Sequence, residues 1–139
     1  MADTVDLSIP AKAELLSLAR LTVAAVAARA DFDYEEIEDL RLALDELCSR
    51  LIGQPSAGDP GTLSLRYEWE VGTLDVHCTL EGAAVHVAID PEERDLSDRI
   101  LDALVDDHGD HVKEALPSMP VPAWCRRASR ARPRRAFRT

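Results

Sequence analysis

DYEEIEDLRLALDELCSRLI, residues 33–52, is the stretch on which the fold of this chain turns. Ile37, Leu40, Leu44, Leu47 and Leu51 recur at alternating steps of three and four, the spacing that lines one side of an α-helix. Asp33 with Glu36 makes a capping-box start, in which each residue satisfies a backbone N–H that the helix leaves open. Gly53 supplies the stop. The expected element is an amphipathic helix bearing the acidic pair Asp45 and Glu46. Arg50 lies one turn beyond Glu46, at the edge of the apolar stripe. Two readings of Glu46 and Arg50 stand side by side. They form an i,i+4 surface ion pair worth roughly a few tenths of a kcal/mol, or Glu46 polarises a water or hydroxyl that faces it.

Upstream, Asp6 to Ile9 reads as a short strand. Pro10 then opens a helix, because its missing N–H is harmless in the first turn. This helix runs to about Ala30 with Leu15, Leu18, Thr22 and Val26 on one face. Arg20 projects from the opposite face and, on this pattern alone, is solvated. Downstream, GQPSAGDPG (53–61) is a loop by composition. Leu63, Leu65, Tyr67 and Trp69 alternate with polar residues, then Leu74, Val76, Cys78 and Leu80 do the same, with Val71-Gly72 between them. This is a hairpin with one apolar face. Val85, Val87 and Ile89 suggest a third strand. Asp90 to Glu93 reads as a loop, and Asp95 or Ser97 caps a third helix over 96–108. Pro117, Pro120 and Pro122 interrupt regular structure, and Val121 to Cys125 suggests a last strand at the sheet edge. Helices on one face of a mostly antiparallel sheet give an α+β two-layer sandwich. The division expected is a domain over 1–116 and a Pro- and Arg-rich tail over 117–139, disordered at its end.

The 139 residues suffice for one domain with a real core. No apolar run approaches the roughly 20 residues needed to span a bilayer, and the opening MADTVDLS lacks the features of an export signal. The three cysteines, Cys48, Cys78 and Cys125, have no paired spacing, which fits free thiols in a reducing cytoplasm. Cys48 reads as a small packed side chain. Residues 126–139 hold seven arginines and no acid. The rest holds nine basic and 26 acidic residues, a net of −17. So acidic a body argues against nucleic-acid binding through its own surface and suits a basic protein partner. The interleaved alanines and prolines of the Arg-rich segment offer no stacking platform for bases. It reads as inert or as folding back on the acidic body.

No metal centre is expected. His108-x-x-His111 lies among acids, but Gly109 sits between the two and no partner ligands follow at zinc spacing. His77 and His86 fall on strands as surface positions. A phosphate-binding P-loop, a nucleophile elbow and a Cys–His–Asp order are all missing from the sequence.

Combined, these signals gain meaning. Pro10-Ala11, Ala19 to Val23, Phe32-Asp33, Ile37 to Ala43 and Asp45 to Cys48 resemble the first half of the anti-sigma factor serine kinases of the RsbW type. These belong to the GHKL, or histidine kinase-like, ATPase family. Leu96 to His108 is similar to the helix that follows the family's nucleotide lid. The resemblance implies the α/β sandwich that the periodicity suggests. It implies that Glu46 is the general base of an ATP-dependent protein kinase, and that Arg50 stands where an asparagine holds Mg²⁺ against the ATP phosphates. Arginine has donors and no acceptor, so it cannot ligate a cation, whereas its fork can contact phosphate. The family's Asp-x-Gly-x-Gly loop falls near Leu80 to Ala84, where Gly82 alone fits. The glycine-rich run before the last helix is replaced by Asp95-Leu96-Ser97-Asp98. Glycines let a backbone cradle phosphate, and these residues do not.

Actinobacterial-type members look similar in carrying an arginine after Asp-Glu-x-Cys, and the resemblance therefore implies an anti-sigma-factor-like regulator with weak or lost ATP binding and doubtful Mg²⁺. Its partners would be a sigma factor and an anti-anti-sigma factor. Arg20, matching the family's sigma-contacting arginine, would touch the former. A homodimer, with the first helix and leading strand near the interface, is implied too. The alternative is an active serine kinase acting on the anti-anti-sigma factor.

Overall fold

The computed structural model describes residues 2–52, 58–82, 90–110 and 120–130. In chain order the elements are β1 (Asp3–Pro10), α1 (Leu16–Arg29), α2 (Tyr34–Ile52), β2 (Thr62–Glu70), β3 (Thr73–Glu81), α3 (Pro91–Leu104), β4 (Asp107–Asp110) and β5 (Val121–Ala128). A 3-10 turn over Ala13–Leu15 leads into α1. The strands form one sheet in the order β1-β2-β3-β5-β4, and every neighbouring pair is antiparallel. The two-layer α+β sandwich expected from periodicity is the observed architecture.

The β2–β3 hairpin turns at Val71-Gly72, where Glu70 pairs with Thr73. Gly72 has φ +88°, a left-handed conformation that glycine adopts without a steric penalty. The turn is held from both sides: the Gly72 N–H donates to the Ala30 carbonyl at 2.8 Å, and the Ser129 N–H donates to the Gly72 carbonyl at 2.7 Å. Leu63, Leu65 and Tyr67 of β2, Leu74, Val76, Cys78 and Leu80 of β3, and Ala123 and Cys125 of β5 are buried. Leu40, Leu44, Leu47 and Leu51 of α2 are buried as well, so α2 is the central helix of the covering layer. The Tyr67 hydroxyl donates to the Ala19 carbonyl of α1 at 3.0 Å. That bond satisfies a polar group in the core and fixes α1 over β2. No helix among the described residues is long and apolar enough to cross a membrane.

Several local expectations need correction. Pro10 ends β1 instead of opening a helix, and α1 begins six residues later. The buried side of α1 is Leu16, Ala19, Val23, Val26 and Ala27; Leu18, placed on the inner face by its spacing, is 44% exposed. α1 is apolar nearly all round, so periodicity could not single out its inner face. The third helix starts at Pro91. Asp90 caps it by accepting the Glu92 N–H at 3.0 Å, and Glu92 and Glu93 complement the positive helix start. Asp90-Pro91-Glu92-Glu93 is thus a helix start and not a loop. That helix stops at Leu104, and Asp107–Asp110 forms β4, so His108 is on a strand. β5 runs through Ala128 and lies inside the sheet, between β3 and β4, not at its edge. Pro122 pairs with Thr79 of β3 just past the last β4 rung, Asp110 with Ala123, where a missing N–H is tolerated. The expected strand over Val85 to Ile89, and His86 with it, lies outside the described residues.

Candidate functional site

Glu46 and Arg50 stand one turn apart on α2 and do not pair. Glu46 is half-buried. Arg50 is 2% exposed and turns toward α3 and β4. Its Nε donates to Ser97 Oγ at 2.6 Å, its Nη2 to Asp98 Oδ1 at 2.6 Å and its Nη1 to Asp110 Oδ2 at 3.0 Å. Asp110 also accepts from Arg94 Nη2 at 2.8 Å through its other carboxylate oxygen. A buried guanidinium needs such acceptors, since an unpaired charge there would be strongly destabilising. Neither sequence reading of position 50, a surface pair with Glu46 or a donor free for phosphate, describes this arrangement.

An open pocket of about 370 Å³ lies over the cluster, lined by Arg94, Asp98, Asp102, His108 and Asp110. His108 Nε2 is 2.7 Å from Asp102 Oδ1. Gly109 passes so close to the Trp124 indole that an added Cβ would lie 2.8 Å from Nε1. A side chain here would force the Trp124 indole or β4 to shift. Of the His108-x-x-His111 motif, His111 lies outside the described residues. Among the described residues there is no group of three or more His, Cys, Asp or Glu side chains arranged to hold a metal.

A divalent cation bound through position 50 does not fit this arrangement. The guanidinium offers no lone pair, and its positive charge already lies between Asp98 and Asp110. Gly82, the single match to the glycine loop, follows β3 with φ +74° and open space around its Cα. Leu80, at the start of the stretch that resembles the family's Asp-x-Gly-x-Gly loop, is buried in the core.

Arg20 is neither opposite the core layer nor simply solvated. Its Nη1 donates to both carboxylate oxygens of Asp45 at 2.9 Å, linking α1 to α2 with both side chains about one-third exposed. The three cysteines are buried and free. A hydrogen bond with Cys48, followed by burial, pushes the Cys78 thiol up. Burial first, then the neighbouring Cys48, pushes Cys125 up to about 12. Thiolate chemistry is disfavoured at these two positions, and Cys48 is a packed side chain.

At the other end of α2 the capping box forms as its spacing indicates. Asp33 Oδ1 accepts the Glu36 N–H at 2.8 Å, and Glu36 Oε1 accepts the Asp33 N–H at 3.3 Å. Glu36 does more than cap. It also accepts the Ser129 hydroxyl at 2.9 Å and the Arg130 N–H at 2.8 Å. Burial works to raise its carboxyl pKa. The hydrogen bonds from Arg130, Ser129 and Asp33, with the Arg127 charge, outweigh burial and hold it below the ordinary value. The first arginines of the basic segment thus meet the acidic body. Arg126 pairs with Asp75 at 2.6 Å, and Arg127 donates to the Leu104 carbonyl at 2.6 Å and lies 3.5 Å from Asp39. Residues 131–139 lie outside the described residues.

Ser97, Asp98 and Asp110 were not legible as partners of Arg50, nor was Arg94 as the second partner of Asp110. The one signal was that arginine on the inner side of an apolar helix requires acceptors from elsewhere.

The serine-protein kinase RsbW of Bacillus thuringiensis is 36% identical over 74 residues, 53% of this chain and 46% of that protein. The serine-protein kinase RsbW of a Bacillus cereus strain is 36% identical over 82 residues, 59% of this chain and 51% of that protein. The chain spans about half the length of these curated relatives. In architecture it is similar to the crystal structure of the RsbU and RsbW domains of a Mycobacterium tuberculosis protein. The TM-score is 0.59 at 13% identity, covering 92% of this chain and 33% of the other. The histidine kinase-like ATPase domain matches residues 9–131, and the chain belongs to that family, with its sequence relatives among the RsbW-type serine-protein kinases.

Proposed function

We propose that this protein is an anti-sigma-factor-like regulator that sequesters a sigma factor in a partner-switching system and has weak or lost ATP binding. An anti-anti-sigma factor would release the sigma factor. The observation that carries the second half is the state of Arg50: a buried cation, bonded to Ser97, Asp98 and Asp110, at the position where the family resemblance requires a metal-holding amide. The acidic body suits a basic protein partner. Arg20, partly exposed beside Asp45, would be part of the sigma-binding surface. The protein would act in the cytoplasm as a homodimer. β1 ends the sheet on one side, and a groove of about 580 Å³ lined by Val5, Leu21, Ala25, Val26 and Trp69 runs beside it. A strand edge unpaired among the described residues, next to apolar side chains, favours self-association.

Isothermal titration with ATP and ADP, with and without Mg²⁺, tests the loss of nucleotide binding: no heat of binding is expected, and Mg²⁺-dependent binding would refute it. Capture of a sigma factor by the purified protein tests the rest.

One observation favours a second reading, an active serine kinase on the anti-anti-sigma factor. Glu46 is half-buried at the position of the family's base, and no hydrogen bond or ion pair engages it among the described residues. Radiolabel transfer from ATP to the partner, lost in Glu46→Ala, would establish that reading, and its absence would remove it.

A further inference from the structure

A charge cluster sits at the α2–α3–β4 junction beneath an open pocket. Arg50 Nε, Nη1 and Nη2 each reach a different side chain on α3 or β4. Asp110, with its side chain 1% exposed, takes a guanidinium on each oxygen. Two arginines and two aspartates are formally neutral together. Among the described residues α3 has few apolar attachments: Leu101 is buried and Leu104 packs partly against the core, while Leu96 and Ile100 are 61% and 36% exposed. An element with so thin an apolar contact depends on its polar attachments.

We propose that the Arg50 guanidinium is a built-in cation that latches α3 and β4 onto α2, so that the placement of α3 needs neither a divalent ion nor a nucleotide. A Mg²⁺ ion bridging the same carboxylates would need oxygen lone pairs at about 2.0–2.1 Å in near-octahedral array. Arg50 supplies none and occupies the gap between Asp98 and Asp110 with its own charge. The fork matters as well as the charge, because Nε and the two terminal nitrogens reach three separate acceptors; an ammonium could not span them. This inference rests on the proposed loss of Mg-ATP binding and deepens it. It explains how α3 is positioned once the ligand is gone.

Hydrogen exchange of the full chain, followed in peptides covering 91–104 with β2 and β3 as internal reference, tests the latch. In the unsubstituted protein, α3 exchange is expected to be the same in excess EDTA, in millimolar Mg²⁺ and in Mg-ATP. Asp98→Ala removes one partner at a site where the side chain is 40% exposed, so the fold survives. It is expected to speed α3 exchange about threefold to fivefold while β2 and β3 stay unchanged. Arg50→Lys keeps the charge, loses the fork, and is expected to do the same. Slower α3 exchange on adding Mg²⁺ or Mg-ATP to the unsubstituted protein overturns the latch. So does unaltered α3 exchange in both variants. Sigma-factor capture scored on the same samples separates the two ideas. Absent capture with the expected exchange pattern refutes the regulatory function and supports the latch, and capture with Mg-ATP-dependent α3 protection refutes the latch.

Discussion

The two ends of α2 each bury a charge, and they do so by different means. At the N-terminal end Glu36 is an anion among donors, three of them backbone or side-chain groups within its own turn or just past β5. At the C-terminal end Arg50 is a cation among acceptors that lie 47 to 60 residues away in sequence. Both signs suit the helix dipole, negative near its start and positive in its last turn. The Glu36 node therefore begins as a local cap and recruits a distant strand end. The Arg50 node has no local partner, and Glu46, one turn earlier, is left out of it. A buried charge anchored locally tolerates loss of its distant contacts better than one whose every partner is distant.

Substitutions at the two nodes can break this contrast, and Arg50→Ala should have the largest effect. It takes the cation from Asp98, leaves buried Asp110 with Arg94 alone, and is expected to cost about 3 kcal/mol in a urea melt. A loss below about 1 kcal/mol would mean that the cluster contributes no more than a surface pair.

Glu36→Ala comes next, at about 1–3 kcal/mol, from the lost cap and the donors left unpaired. Its pH dependence sharpens the comparison. The folded pKa of Glu36 lies below the ordinary glutamate value. Its contribution is therefore present above about pH 4.5 and is lost as pH falls through the lowered folded value. Melts between about pH 7 and pH 3 should show a flatter acid limb in Glu36→Gln than in the unsubstituted protein. An unchanged limb would show that other carboxylates dominate.

Gly109→Ala tests how tightly β4 is tied to β5 beside the Arg50 node. The new methyl meets the Trp124 indole, and a loss of about 1 kcal/mol is expected, with a shift in indole fluorescence. Arg20→Ala is the smallest. Its pair with Asp45 is about one-third exposed, so stability should change by about 0–1 kcal/mol, while sigma-factor capture falls. A large stability loss with capture intact would make Arg20 a structural tie between α1 and α2.

Much of this molecule could be read along the chain. The amphipathic stripe of α2, its Asp33–Glu36 cap, the alternating β2–β3 hairpin and the turn at Gly72 are set by neighbours within a few residues, and each signal has a fixed period or spacing. α1 was legible as a helix but not in its orientation, because alanines and leucines surround it. Asp90-Pro91-Glu92-Glu93 carried helix-start chemistry, but its turn-like composition masked it. The interior place of β5 was out of reach: strand order depends on which edge remains after β1, β2 and β3 pair, and on a four-residue β4 that has no alternation of its own.

The site divides along the same line. The identity of position 50 as arginine, and hence its inability to ligate a cation, is a property of the residue and needs no fold to be known. Which atoms satisfy that arginine is different. Ser97, Asp98 and Asp110 converge on it only because α3 crosses α2 and β4 ends the sheet beside it. Buried charge must be neutralised by whatever packing brings within about 3 Å. Chain position carries no record of that distance.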